Sequence, residues 1–372
     1  MTGVVVAGGG VIGLAVAWRC AQRGLPVTVV DDGSTDGAWY AAAGMLAPVS
    51  EAGYGEEDLL ALCRASLDRF EGFAAEVERA SGVAVGLRRA GTLVVGFDAD
   101  DVSVLADLHA FHRALGLPAE RVTPGQARRR EPGLTPRLRG ALHVPADHSV
   151  DARALRAGLL IAAGRAGARI VEGRIARLVV AGERARGVSL ADGSTVDGDR
   201  VVLATGAWSG ALPGVPALPV RPVKGQILRL RGAEGLLAGT VRALVRGQEV
   251  YLVPTPGGGL IVGATVEELG FDRAVTAGAV YRLLRDAVEV VPAVTELELA
   301  ETLARWRPGT PDNGPLLGPT ELPGLLAATG HYRNGILLTP ITADALAAWL
   351  TGDEPPAAAA AFTPHRFAEV HR

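Results

Sequence analysis

The 372-residue chain has almost no lysine: of its 37 basic side chains only Lys224 is one. With 40 acidic residues the net charge is −3, so the chain lacks the positive surface that nucleic acid or an anionic membrane requires. Two cysteines, Cys20 and Cys63, cannot form a disulfide framework, which points to a reducing compartment and a cytoplasmic protein. Seven scattered histidines show no metal-ligand spacing, so no metal site is expected. Long apolar runs are missing too. The uncharged stretch 4–18 is too short to span a bilayer and carries Gly8, Gly9, Gly10 and Gly13. No internal repeat stands out. What the chain does have is 48% apolar residues, enough for a large core, and 49 glycines without a Gly-X-Y period. Those glycines must serve turns and close backbone approaches.

The first of them sit in a specific context. Val4-Val5-Val6 reads as a strand, Gly8 to Gly13 as G-x-G-x-x-G, Leu14 to Gln22 as a helix stopped at Gly24, and Val27 to Val30 as a second strand ending at Asp31. Gly8 permits the tight turn, Gly10 lets a pyrophosphate approach the backbone, and Gly13 lets helix and strand pack closely. The helix N-terminus offers free N–H groups to the phosphates, and Asp31 suits a ribose diol. The motif alone does not separate NAD from FAD. A second apolar strand, Val201-Val202-Leu203, leads into Ala204-Thr205-Gly206. Asp151 caps a helix through Leu155 and Leu159, followed by a parallel strand at 168–171.

Between these pieces the pattern changes. Residues 57–80 predict an amphipathic helix, in which Cys63 is a core residue. Residues 83–97, 217–231 and 239–265 read as strands, 101–115 as a helix, and Thr276 as the cap of another. The expected fold is α/β plus α+β: a discontinuous Rossmann-like dinucleotide domain (1–82, 148–215, 300–372) with an interleaved mixed-sheet substrate domain (83–147, 216–299). Pro355 to Ala361 reads as a terminal linker.

Several segments can carry chemistry. Ala41-Ala42-Ala43-Gly44 makes a flat, side-chain-poor surface on which a planar ring can lie. Tyr251 to Thr265 reads as a hairpin in which Tyr251 can offer its phenol to a carboxylate. Arg307 precedes Pro308 and is therefore extended, so its guanidinium can reach a cavity and match a carboxylate's two oxygens. Arg305, two residues away, competes for that role. His331 lies in a glycine loop before a helix at 339–350, whose N-terminus favours negative charge.

Together these segments, with Ala204 to Ser209 and Pro222-Val223-Lys224-Gly225-Gln226, resemble the D-amino-acid oxidase and sarcosine oxidase group of flavoproteins, and most closely its glycine oxidase branch of thiamine (thiazole) biosynthesis. The resemblance implies non-covalent FAD, because no cysteine follows Cys63 to carry it covalently. It implies oxidation of glycine, or of sarcosine or D-alanine, by hydride transfer to FAD, giving an imine, then glyoxylate or another keto acid, ammonia and hydrogen peroxide. By resemblance, Arg307 clamps the substrate carboxylate, Tyr251 assists it, and Arg333 lies near substrate and flavin. Gly8, Gly10, Val11, Ile12 and Gly13 form the phosphate loop, and Asp31 with Asp32 forms the ribose end. Ala43, Gly44 and Met45 contact the flavin, and Ala176 meets the adenine side. His331, Tyr332, Arg333, Asn334, Gly335, Ile336 and Leu337 cover the pyrimidine end. Where simple sarcosine oxidases place a lysine over the flavin, this chain offers Val266. Dioxygen and a small amino acid are the expected partners, with a homotetramer by family analogy. The competing readings are a D-amino-acid dehydrogenase or sarcosine/proline oxidase of the same group, an NAD-dependent dehydrogenase, and a non-catalytic flavoprotein subunit of a hetero-oligomer.

Overall fold

A computed structural model describes residues 3–367. The N-terminal strand Val4–Ala7 is the middle of a six-stranded sheet. It pairs in parallel with Val27–Asp31 on one side and Arg200–Leu203 on the other, and the parallel run continues to Arg169–Glu172 and Leu325–Thr329. Leu316–Pro319 closes one edge in antiparallel sense. Parallel strands need both faces covered, and the strand sequence is apolar on both faces. Val4 and Val6 pack under the helices Val11–Gln22, Glu57–Ser81, Ala152–Arg165 and Thr339–Thr351. Val5 and Ala7 pack against Leu178, Val188 and Leu190 of a three-stranded antiparallel sheet.

The second body is an eight-stranded mixed sheet in the order 298–309, 221–231, 259–263, 248–255, 240–245, 92–96, 140–144, 120–122. Alternation again sorts its residues. Leu228, Leu252 and Val262 face the helix Ala277–Val290, capped by Thr276 as expected. Their neighbours Ile227, Val253 and Ile261 face Ala41 and Ala43. The strand Glu298–Gly309 pairs with Arg221–Arg231 along its length, so the domain boundary expected at residue 300 falls inside a strand. A boundary near Gly309 keeps each sheet whole.

Two further expectations need correction. Only Thr92–Gly96 of the segment 83–97 is a strand. Gly86 and Gly91 take positive φ (68° and 76°), which breaks the extended run, and Arg88 makes only an isolated bridge to Ser149. The segment 355–361 is not a linker. Ala357–Phe362 forms a 3-10 helix whose Ala359 and Phe362 are buried in the helical core, because alanines let the chain approach closely.

Candidate active site

The two sheets face each other across a cavity of about 710 Å³. One end is built by the glycine loop. Gly8 has φ +109°, and a Cβ on it would sit 2.5 Å from Ala204 O. A Cβ on Gly13 would meet Gly8 O at 1.9 Å, so Gly13 serves helix packing and does not line the cavity. Gly10 differs: a Cβ there would approach only Trp39 Cδ1, at 3.7 Å, and would otherwise project into cavity space. No side chain caps the following helix, so its first N–H groups, at Val11 and Ile12, are left for a ligand at the cavity wall.

Asp31 ends its strand at this mouth, with Asp32 next to it on the wall. Its Oδ2 accepts from Gly9 N at 2.7 Å and its Oδ1 from Gly33 N at 3.1 Å. Arg156, from the helix Ala152–Arg165, donates 3.1 Å to Oδ1 and 2.9 Å to Gly9 O, with its guanidinium 4.4 Å above the Trp39 ring. Nothing local in the sequence marks Arg156, since its partners lie on distant segments. Gly173 N donates to Asp31 O, which brings Ala176 to the same end.

The floor is the alanine segment. Gly44 has φ +80°, and a Cβ on it would lie 1.8 Å from Val150 O, so only glycine lets this stretch lie flat. Ala43, Gly44 and Met45 line the cavity.

At the far end stand Arg307, Tyr251 and Arg333. Arg307 Nη1 donates 3.1 Å to Thr265 O. Arg305 also faces the cavity, but its Nε donates to Thr35 O at 2.7 Å, so Arg307 is the guanidinium that stands with Tyr251. Burial raises the phenol's pKa and the Arg307 charge opposes that rise. Two glycines whose packing role is not legible in the sequence make room here. A Cβ on Gly225 would meet Arg307 Nη1 at 2.3 Å, and one on Gly263 would meet the Tyr251 hydroxyl at 2.3 Å. Trp208, Phe271 and Trp306 form an aromatic cluster on the wall, with Trp208 and Phe271 stacked at 5.5 Å. Val266, by contrast, is 58% exposed and does not line the cavity.

The loop 330–337 closes this end. Tyr332, at φ +45°, donates its N–H to Pro308 O, tying the loop to the arginine strand. His331, Tyr332, Arg333, Gly335 and Ile336 line the cavity. Asn334 does not, and Leu337 is buried in the helical core. His331 is buried with Nε2 3.0 Å from Thr342 Oγ1, and burial pushes its pKa down to about 3, so it is a neutral contact and not a base. Both cysteines are free and buried. Among the described residues no group of three acidic, histidine or cysteine side chains is placed to hold a metal, and no helix is long and apolar enough to cross a membrane.

A glycine cradle, an uncapped helix N-terminus, an acid at the end of the second strand and a flat floor in one cavity fit an FAD molecule. Comparison with known proteins agrees. Residues 3–349 match the family model described as FAD dependent oxidoreductase. This chain belongs to that family. It is 36% identical to glycine oxidase of Geobacillus kaustophilus (strain HTA426), over 91% of this chain and 90% of that one. The crystal structure of glycine oxidase from Geobacillus kaustophilus superposes with a TM-score of 0.90, covering 98% of both chains at 35% identity. The bifunctional protein ThiO/ThiG of Nostoc sp. (strain PCC 7120 / SAG 25.82 / UTEX 2576) is 34% identical over 92% of this chain, which spans about half (52%) of that longer relative.

Proposed function

We propose that this chain oxidises glycine, and other small amines such as sarcosine or D-alanine, to the imine. Water then releases glyoxylate or the matching keto acid together with ammonia from a primary amine, or methylamine where the N-methyl imine of sarcosine is hydrolysed to glyoxylate, and dioxygen leaves as hydrogen peroxide. The observation that carries this reading is the pairing of Arg307 and Tyr251 in the same cavity as the dinucleotide cradle. Bound FAD supplies the hydride acceptor. The protein's part is position and charge. Arg307 offers two N–H groups to the substrate carboxylate, and the neutral Tyr251 phenol adds a third donor. Held there, the substrate has little freedom left to lose before reaction. Arg333, also cationic, favours the neutral amine, whose lone pair drives hydride departure. His331 is held neutral and no base is needed.

The likeness to a ThiO/ThiG protein supports a place in thiamine biosynthesis, and the family resemblance supports a cytoplasmic homotetramer. The test is anaerobic bleaching of the bound flavin by glycine, sarcosine, D-alanine, D-proline and their L-forms, followed by peroxide release in air. Arg307→Ala should raise KM for glycine on the order of a hundredfold, the loss of two hydrogen bonds to a charged group, with FAD retained. An unchanged KM overturns the assignment.

A further inference from the structure

The amino-acid end of the cavity holds a second charged pair that the mechanism above leaves unused. Glu51 lines the cavity in the turn that follows the alanine floor. Its Oε1 lies 2.8 Å from Arg242 Nη1, and only 13% of the Glu51 side chain and 14% of the Arg242 side chain remain exposed. The two groups meet as opposite charges, without a hydrogen bond from Nη1. Arg242 lies directly opposite Tyr251 in the antiparallel ladder, and opposed residues share a sheet face. The pair therefore stands beside the phenol that flanks Arg307.

Glu51 is firmly placed. The preceding Val49 and Ser50 N–H groups donate 3.1 and 3.0 Å to the carboxylate of the fully buried Asp147, and Glu51 N donates to Ala47 O. The local charge does not cancel. Arg242 also pairs with Glu249 Oε2 at 3.3 Å and feels the field of Asp147. Arg242 is thus shared beyond Glu51, and of these carboxylates only Glu51 lines the cavity, so the wall beside Tyr251 presents a carboxylate while Arg307 and Arg333 present cations. A cavity of this polarity orients a zwitterion.

We propose that Glu51 is a specificity-determining residue, whose carboxylate, held by Arg242, faces the amino side of the substrate and rejects a second anionic arm there. The proposal rests on the amine-oxidase reading above. An N–H group brought to that wall meets an acceptor, and an N-methyl group brings no charge to repel. An N-carboxymethyl arm meets like charge in a partly desolvated site, where repulsion is weakly screened.

The test uses wild-type holoenzyme and Glu51→Gln, which keeps the shape and removes the charge. Acetate and malonate are titrated against the flavin absorption spectrum, and glycine and iminodiacetate are compared as substrates. In Glu51→Gln, malonate should tighten relative to acetate by about tenfold or more, because Arg242 is freed as Glu51 is neutralised. The ratio of kcat/KM for iminodiacetate to that for glycine should rise by a similar factor. Glu51→Asp should keep the wild-type preference. Glu249→Gln, at an exposed carboxylate, should move the ratio less than about twofold. If Glu51→Gln loses flavin, Arg242→Gln replaces it, and there the uncompensated Glu51 should weaken malonate further relative to acetate. A structural ion pair alone would lower stability and shift both ligands equally, so ratios that stay within about twofold overturn the proposal. Failure of glycine to bleach the wild-type flavin would sink the amine-oxidase reading instead, while the acetate and malonate titrations still report on Glu51.

Discussion

Gly225 lies directly beneath the Arg307 guanidinium: a Cβ at residue 225 would stand 2.3 Å from Nη1 and 2.6 Å from Cζ. The two strands pair from Arg221–Gly309 through Arg231–Glu298, so Arg307 cannot retreat with its backbone. Gly225→Ala must therefore swing the guanidinium off its contact with Thr265 O. KM for glycine should rise by about tenfold or more with the flavin content unchanged, since a small misplacement of a positioning group is costly. Steady-state kinetics on the purified holoenzyme check it, and an unaltered KM would show that Arg307 is not the carboxylate clamp.

Tyr251 should act as a neutral donor. Burial raises its phenol and Arg307 only partly offsets the rise, so no tyrosinate forms in the usual assay range. Tyr251→Phe removes one hydrogen bond to a charged carboxylate and should lower kcat/KM by about 10- to 100-fold. The loss should be the same at pH 7 and pH 9. A loss that disappears at the higher pH would mean that the phenol is ionising there.

The sequence made some of this arrangement legible and hid the rest for one physical reason. Short-range signals were read well: the glycine loop, the Asp151 and Thr276 caps, and the helix expected over 57–80 and found at Glu57–Ser81, with Cys63 inside, all rest on neighbouring residues. The residues that line the cavity at Arg307 and Tyr251 belong to short motifs, and FAD was implied by the family resemblance that those motifs carry. What stayed hidden depends on contacts between distant segments. Gly225 and Gly263 look like weak points of a strand until the side chains of Arg307 and Tyr251 are seen above them. Glu51 looks like a loop acid until Arg242 arrives from the far sheet. The run 83–91 has strand-like residues, yet Gly86 and Gly91 divert it. The alanines at 357–361 look like low-complexity tail, yet their small size lets Phe362 reach the core.

Lys224, the sole lysine, is another such residue. It is fully buried in a strand, and its Nζ meets Asp272 Oδ2 and Glu267 Oε2. Glu267 accepts from Gln226 Nε2 at 2.8 Å, and Gln226 Oε1 accepts from Thr276 N at 2.9 Å. This network fastens the segment 265–276, which carries the cavity residue Phe271. Lys224→Met removes the cation shared by two partly covered carboxylates, which should repel and loosen that segment. Amides of residues 265–276 should exchange about tenfold faster or more, while those of the glycine loop stay as protected as before. Lys224→Arg should not rescue, because a planar guanidinium does not fit the space of a point charge. Uniform loss of protection through the whole chain would show a global defect and not a local fastening.

His331 predicts how stability depends on pH. Its pKa in the folded protein is pushed down to about 3 by burial, against an ordinary value of 6.5. Between those values the unfolded chain binds a proton that the native protein does not, so stability rises with pH across this window. Above about pH 6.5 the contribution is fully present, and it is lost as the pH falls toward 3. His331→Gln keeps a polar group near Thr342 but cannot take up that proton. Between pH 7 and pH 4 the wild-type melting temperature should fall more steeply than that of the variant, and thermal melts of the two holoenzymes in matched buffers measure the difference. Parallel curves would mean that His331 is protonated in the folded protein at mildly acidic pH and is not a neutral contact there.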